Sequence, residues 1–285
     1  MTEAEFLAAL RTLPLHEGAR DLRDDCALIE IGTETLVINH DTMAEDVHFR
    51  PEADLADVAW KLVAVNLSDL ASKGAEPVGI ILGHSLGGND LQFVKGLREV
   101  MLAYNVKLMG GDTIAATGAS TYAITAIGRA THKPVPSRMG ARAGESVFVT
   151  GTIGRAMLGF EGQSGHLAAF DRPFPRLAEG RALAPHVGAM MDVSDGLLLD
   201  VYRLARASEA TIALDSEKVP VADPSRRAEL LRWGDDYELL FTLPPNREPP
   251  VAATRIGTVE ARGPAPLVLD GRPMTEQQGL GYQHG

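Results

Sequence analysis

The chain has 285 residues, 45% hydrophobic and 23% charged, the make-up of a globular protein long enough for two modest domains. Its formal net charge of -11 argues against the non-specific nucleic-acid binding that depends on surplus Lys and Arg. No apolar run approaches the ~20 residues needed to cross a bilayer, and a single cysteine, Cys26, leaves no internal disulfide framework. The acidic start Met1–Glu5 lacks the basic and apolar regions of a signal peptide, so a cytoplasmic location is expected.

In chain order, residues 3–13 read as a short helix, and 26–31 with 35–39 as a strand pair joined near Gly32. The second strand is expected to deliver Asp41 just past its end. Residues 56–72 have strong helical spacing through Val58, Leu62, Val65 and Asp69, with Gly74 as the stop. Asp69 then falls in the last turn, where a carboxylate is unfavourable without a compensating cation. A strand over 78–83 and an amphipathic helix over 90–105 follow. The run 106–109 leads into Gly110-Gly111-Asp112-Thr113, and 122–129 is another strand.

The Pro- and Gly-containing stretch 132–144 is the expected domain boundary, dividing the chain into 1–135 and 136–285. Residues 146–150 open a second αβ unit. There, 170–176 reads as an ordered loop, 197–207 as a helix, and 211–214 and 237–243 as strands. Shorter strands are expected near 253–259 and 266–269. The expected fold class is α+β, with two αβ domains: an N-terminal mixed sheet with helices and a C-terminal αβ domain.

Aspartates carry the chemical signal: Asp24-Asp25, Asp41, Asp69, Asp112, Asp192 with Asp195, and Asp235-Asp236. Most stand in stretches with few local basic partners. Carboxylates that fold together need a compensating cation, and a hard divalent ion such as Mg²⁺ suits oxygen ligands. Each alone has an ordinary reading. Asp24-Asp25 has Arg20 and Arg23 nearby for an ion pair, Ser194 or Asp195 serves as a helix N-cap, and residues 234–238 make a turn. Tyr104 lies on an apolar helix stripe, and His48, Trp233 and Tyr282 fit packing or surface roles. The chain lacks the Walker phosphate loop G-x-x-x-x-G-K-[ST], the G-x-G-x-x-G fingerprint, the H-E-x-x-H zinc spacing and the G-x-S-x-G elbow. Phosphate handling is left to metal ions and to backbone amides such as those of Gly110-Gly111.

Taken in order, Asp24–Leu28, Asp41 through Val47-His48-Phe49, Ala64–Ala71, Gly110–Thr113, Arg138–Gly144, Val149–Gly151, Asp192–Leu197 and Asp235–Phe241 resemble the thiamine-monophosphate kinases. That family lies in the superfamily of aminoimidazole ribonucleotide synthetase and selenophosphate synthetase. The resemblance implies Mg²⁺ ligands at Asp25, Asp41, Asp69, Asp112, Asp192 and Asp195, with Asn39 offering a further oxygen. It implies ATP contacts at Tyr104, Gly111, Arg138 and Ser194, and substrate contacts at His48, Asp235 and Tyr282. Catalysis would fall to Asp41, Asp69 and Asp112, with ATP as co-substrate, and the chain would form a homodimer through its N-terminal sheet. Arg23, Asn39-His40, Trp233 and Asp235 depart from the family pattern. The implied reaction phosphorylates thiamine monophosphate to thiamine diphosphate. Another ATP-dependent synthetase or kinase of the superfamily, or a non-catalytic metal- or nucleotide-binding regulator, remains open.

Overall fold

The computed structural model describes residues 2–115 and 117–283; Met1, Ala116, His284 and Gly285 lie outside the described residues. After α1 (Glu3–Leu10), strands β1 (Ala27–Ile31) and β2 (Glu34–Ala44) form an antiparallel pair that turns at Gly32, whose φ of +60° suits glycine. The long helix α2 (Leu55–Ser72) is capped by the Asp54 carboxylate, which accepts from the Ala56 N–H at 2.8 Å. It ends at Gly74, again with a φ of +60°. β3 (Ala75–Ser85), α3 (Asp90–Ala103), β4 (Leu108–Ile114) and β5 (Thr121–Ala130) complete a five-stranded sheet of order β1-β2-β5-β3-β4. The sheet is mixed, because β3 and β4 run parallel.

The second half opens with β6 (Ser146–Thr150), followed by α4 (Arg155–Phe160), α5 (Leu167–Asp171), α6 (Leu177–Leu183) and β7 (Met190–Asp192). Next come α7 (Leu197–Ala207), β8 (Thr211–Leu214), α8 (Arg227–Leu230), β9 (Leu239–Leu243), β10 (Ala253–Glu260), β11 (Leu267–Leu269) and β12 (Arg272–Met274). Its sheet is seven-stranded, in the order β12-β11-β8-β10-β6-β9-β7.

Period-two alternation explains how the layers meet. β9 sends Leu239, Phe241 and Leu243 into the core shared with the first half, and Leu240 into a second core beneath α7. β2 likewise buries Val37, Asn39 and Met43 toward α2 while Leu36 and Ile38 face outward. α2 is buried nearly all round, since the first sheet lies on one side and α6 and β7 on the other. Two-sided burial requires close approach. A Cβ on Gly180 of α6 would lie 2.0 Å from the Ala71 carbonyl oxygen of α2.

The mixed αβ architecture agrees with the expected fold class, and the strands of the two sheets come from residues 27–130 and 146–274. Several details differ. α1 stops at Leu10 rather than residue 13. Asp41 lies inside β2, not past its end, because pairing with β5 continues to Ala44 and holds Asp41 opposite Ile124. β9 starts at Leu239, since Asp235 (φ +65°) and Tyr237 (φ +51°) take left-handed backbone that no strand accommodates. Phe170 and Asp171, read as loop, close the short helix α5.

Replacing Gly180 by Ala forces the α2–α6 contact apart, because the obstructing atom is backbone. A loss of about 2 kcal/mol is expected, read as a lower urea midpoint with unchanged m-value. Wild-type stability in G180A would contradict the close packing.

Candidate active site

The site forms where the C-terminal end of α2 meets both sheets. Asp25 lies just before β1, Asp69 in the last turn of α2, and Asp192 at the end of β7. One carboxylate oxygen from each lies within 4.8 Å of the other two. Asp41 joins from β2, its Oδ2 accepting from Asn39 Nδ2 at 3.4 Å. Asn39, buried on the same face of β2, donates from Nδ2 to Asp69 Oδ2 at 2.9 Å and to Asn66 Oδ1 at 3.0 Å. The Ser68 hydroxyl donates to Asp192 Oδ2 at 2.5 Å.

Three cations, Lys73, Arg138 and Arg20, balance part of this charge. Lys73, wholly buried, donates to Asp24 Oδ1 at 2.6 Å and Asp25 Oδ2 at 2.7 Å. Arg138 pairs with the other oxygen of Asp25, and Arg20 pairs with Asp24. Burial alone would raise the Asp25 pKa, but Arg138 and Lys73 hold it well below the ordinary carboxylate value. The other side of the cluster lacks such partners. Burial first, then the charges of Asp41, Asp192 and Asp25, push Asp69 far above its ordinary value. Asp192 is raised to about 7 by burial and by Asp25. Asp41 is also raised, chiefly by burial.

This imbalance fits a hard divalent cation. The donors are all oxygens, the carboxylates resist ionising side by side, and Asn39 Oδ1 is buried without a hydrogen-bond partner. A cation at Asp69, Asp192 and Asp25, with Asp41 and Asn39 Oδ1 adjacent, would supply the missing charge and satisfy that oxygen.

The remaining candidates are more dispersed. Asp112 is exposed on β4, opposite Gly83 of β3, and stands outside the converging carboxylates. Gly111 has a packing reason to be glycine, since a Cβ there would lie 2.1 Å from the Leu82 carbonyl oxygen. Tyr104 ends α3 half-buried against Trp60, at 5.9 Å between ring centroids, and Phe174, at 6.3 Å. Asp195 pairs with Arg203 rather than joining Asp192. The N-cap role is filled neither by Ser194 nor by Asp195; Gly196 occupies that position of α7, and both N–H groups instead donate to buried Asp200 Oδ2 at 3.1 Å.

Ser194 and Asp195 nonetheless tie other segments to the site. The Ser194 carbonyl accepts from the Asp235 N–H at 2.8 Å, and the Asp195 carbonyl accepts from the Tyr282 N–H at 2.8 Å. His48 Nδ1 accepts from the Ala44 N–H at 3.1 Å. Lys61, on α2, donates to Asp235 Oδ2 at 2.8 Å and to the His48 carbonyl at 3.2 Å. Asp236 turns away from its neighbour, accepting from the Gly154 N–H at 2.9 and 2.8 Å.

From the sequence, Lys61 and Lys73 have no assigned role, and Asn66 and Ser68 enter only as part of the 64–71 stretch. The helical pattern contained a usable signal: Asn66, Asp69 and Lys73 follow one another at spacings of three and four and share a face.

Replacing Lys73 by Met removes the buried cation shared by Asp24 and Asp25 and leaves each with a single arginine, with an expected loss of about 3 kcal/mol in urea unfolding. A loss below about 1 kcal/mol would contradict the charge pairing. Asp236, raised to about 8 by burial, gives a pH dependence of known sign. The unfolded chain ionises near the ordinary carboxylate value while the folded chain keeps this proton, so its contribution to stability falls as pH rises toward 8. Asp236→Asn keeps the acceptor for Gly154 and removes the titration. Between pH 5 and 7 its stability relative to wild type should rise by about 1 kcal/mol per pH unit. A pH-independent difference would contradict the buried, protonated carboxyl.

Residues 23–130 match the family described as AIR synthase related protein, N-terminal domain. The chain is 34% identical to the thiamine-monophosphate kinase of Caulobacter vibrioides, over 100% of this chain and 91% of that protein. It is 36% identical to the thiamine-monophosphate kinase of Escherichia coli K12, over 78% of this chain and 75% of that one. Among solved structures it is similar to "AaThiL complexed with AMPPCP and TMP", with a TM-score of 0.89 and 26% identity, covering 100% of this chain and 97% of that one. Full-length similarity above 30% identity, on the same two-sheet fold, makes this chain a member of the thiamine-monophosphate kinase family of enzymes.

Proposed function

We propose that this chain transfers the γ-phosphoryl group of ATP to the phosphate of thiamine monophosphate, giving thiamine diphosphate and ADP, with Mg²⁺ at the acidic cluster. The observation that carries the reading is the convergence of Asp25, Asp69 and Asp192 within 4.8 Å on a fold similar to one complexed with AMPPCP and TMP. Asp41 and Asn39 would complete the donor set. The assignment of Asp112 and Asp195 as further ligands rests on the family resemblance alone.

The chemistry is consistent with the groups present. A phosphate monoester has a second pKa of about 6, so the acceptor oxygen is already largely ionised at neutral pH and needs no general base. The difficulty is that donor and acceptor are both polyanions. Bound divalent ions supply charge neutralisation at the meeting phosphoryl groups. Arg138, fixed against Asp25, would hold nucleotide phosphate at the cluster, assisted by Ser194, Gly111 and Tyr104. Asp235, His48 and Tyr282 would hold the acceptor, with the Tyr282 ring contributing ~1 kcal/mol against a cationic thiazolium. The protein's part is chiefly alignment and a fixed electrostatic field.

A homodimer through the first sheet belongs to the same proposal. Ile29, Ile31 and Ile81 are 37%, 57% and 41% exposed on the face turned away from α2, beside Leu36, Ile38 and Ile127. Such an apolar sheet face fits a self-complementary contact with a second copy. The fold subdivides, on this reading, within the connection 131–145 between the two sheets.

The test is product analysis after incubation with ATP, Mg²⁺ and thiamine monophosphate. Thiamine diphosphate and ADP in equal amounts are expected. Asp69→Asn should lower turnover about a hundredfold or more, while melting at or above the wild-type temperature, since it relieves repulsion among buried carboxylates. Near-wild-type turnover of folded D69N at saturating Mg²⁺ and ATP would sink the reading.

A further inference from the structure

Lys61 is a buried cation that none of the chemistry above uses. Its side chain is 3% exposed, yet it lies on the wall of a cavity of about 210 Å³ bordered by Phe49, Phe160, Phe170 and Asp171. The ammonium has three neighbours from three separate segments. Asp235 Oδ2 accepts at 2.8 Å, the His48 carbonyl accepts at 3.2 Å, and the Phe170 ring centroid lies 3.6 Å away. Two of its hydrogen bonds go to Asp235 and His48, and the Phe170 ring face lies against the charge, so the ammonium is held from three sides by the protein itself.

Asp235 needs such restraint. Its backbone is left-handed, at φ +65°, and follows Gly234, whose Cβ would lie 2.2 Å from the Ser194 carbonyl oxygen. Asp235 Oδ1 accepts from the Tyr237 hydroxyl at 2.8 Å while Oδ2 is taken by Lys61. The carboxylate is thus pinned at both oxygens, though its side chain remains 26% exposed. Each carboxylate oxygen accepts more than one hydrogen bond, so Asp235 keeps acceptor capacity for a ligand. The same ammonium fixes the backbone of His48. One cation thereby sets the positions of two residues that face the acceptor on the proposed reading.

We propose that Lys61 is a positioning residue for the acceptor end of the site, acting through Asp235 and the His48 backbone to set affinity for the phosphorylated acceptor. The inference rests on the proposed kinase activity and goes beyond it by naming a residue that touches no substrate atom. Lys61 should act on the acceptor KM and leave the ATP side alone, because its partners all lie on the acceptor side.

The experiment is a double-mutant cycle on steady-state kinetics with thiamine monophosphate, using wild type, K61M, D235A and the double variant, with K61R as the conservative control. K61M should raise the acceptor KM about tenfold, with kcat and the ATP KM within about threefold of wild type. In the D235A background, K61M should add less than about threefold, because the Asp235 route is already removed and only the longer contact to the His48 carbonyl remains. K61R, which keeps the charge for Asp235 and a stacking surface for Phe170, should recover most of the acceptor affinity. Should K61M not fold, K61Q, which retains a donor for the His48 carbonyl, carries the same expectations.

Unchanged acceptor KM in a folded variant would overturn the proposal, as would a full tenfold effect persisting in D235A. A fall in kcat accompanied by a raised ATP KM would also overturn it, since that pattern belongs to a group touching the transferred phosphoryl. Absence of wild-type turnover on thiamine monophosphate overturns the kinase reading itself. Normal wild-type turnover with an indifferent K61M removes only the role of Lys61.

Discussion

Charge balance at the junction of the two sheets is the constraint around which this molecule is organised. Burying an ionised carboxylate costs several kcal/mol unless a partner compensates it; the side chains of Asp24 and Asp25 and the whole of Asp192 have little or no access to water, and Asp69 is partly buried. The cluster divides into two unequal parts. Asp24 and Asp25 are answered by Lys73, Arg138 and Arg20 and are held ionised. Among the described residues, the side-chain donors to Asp41, Asp69 and Asp192 are the neutral Asn39 and Ser68, and burial raises the pKa values of all three. The first part is charge-compensated within the chain, and its Asp25 borders the second, with an oxygen within 4.8 Å of Asp69 and Asp192. The second has the electrostatics of a site built to be completed by a cation from solution.

Helix α2 is the element that couples this balance to the fold. It is enclosed by the first sheet on one side and by α6 and β7 on the other, so its position is fixed by both halves. Asn66, Asp69 and Lys73 line its face toward β2 and Asp25, while Ser68 reaches Asp192 of the second sheet. Lys61, about two turns before Ser68, engages Asp235 and His48. On the proposed reading, one helix would carry the cation site near its C-terminus and the acceptor end nearer its middle. A fixed spacing between these two ends is what alignment of two phosphoryl groups requires.

Much of this was legible in the sequence, and the exceptions have physical causes. α7 and β8 were readable to their ends, because an amphipathic helix and a short apolar strand announce themselves by period. β7 was not, since Met190-Met191-Asp192 is too short for any period and becomes a strand only by pairing with β9. Asp41, Asp69 and Asp192 stand out by having few basic residues nearby, whereas Asp24-Asp25 has Arg20 and Arg23 close in sequence. That criterion is local, and folding answers charge at long range. Lys73 comes to Asp24 and Asp25 from 49 and 48 residues away, and Arg138 comes to Asp25 from 113. Asp112 shows the reverse limit: its glycine-rich setting resembles a phosphate loop, yet β4 leaves it exposed and apart from the converging carboxylates.

The central claim is that one divalent cation seats among Asp25, Asp69 and Asp192. Crystals grown with Mn²⁺ as a replacement for Mg²⁺, measured for anomalous scattering, test it most directly. The account predicts a strong anomalous peak within ~2.3 Å of an oxygen from each of those three carboxylates. Well-ordered carboxylates with no peak between them at saturating Mn²⁺ would contradict it.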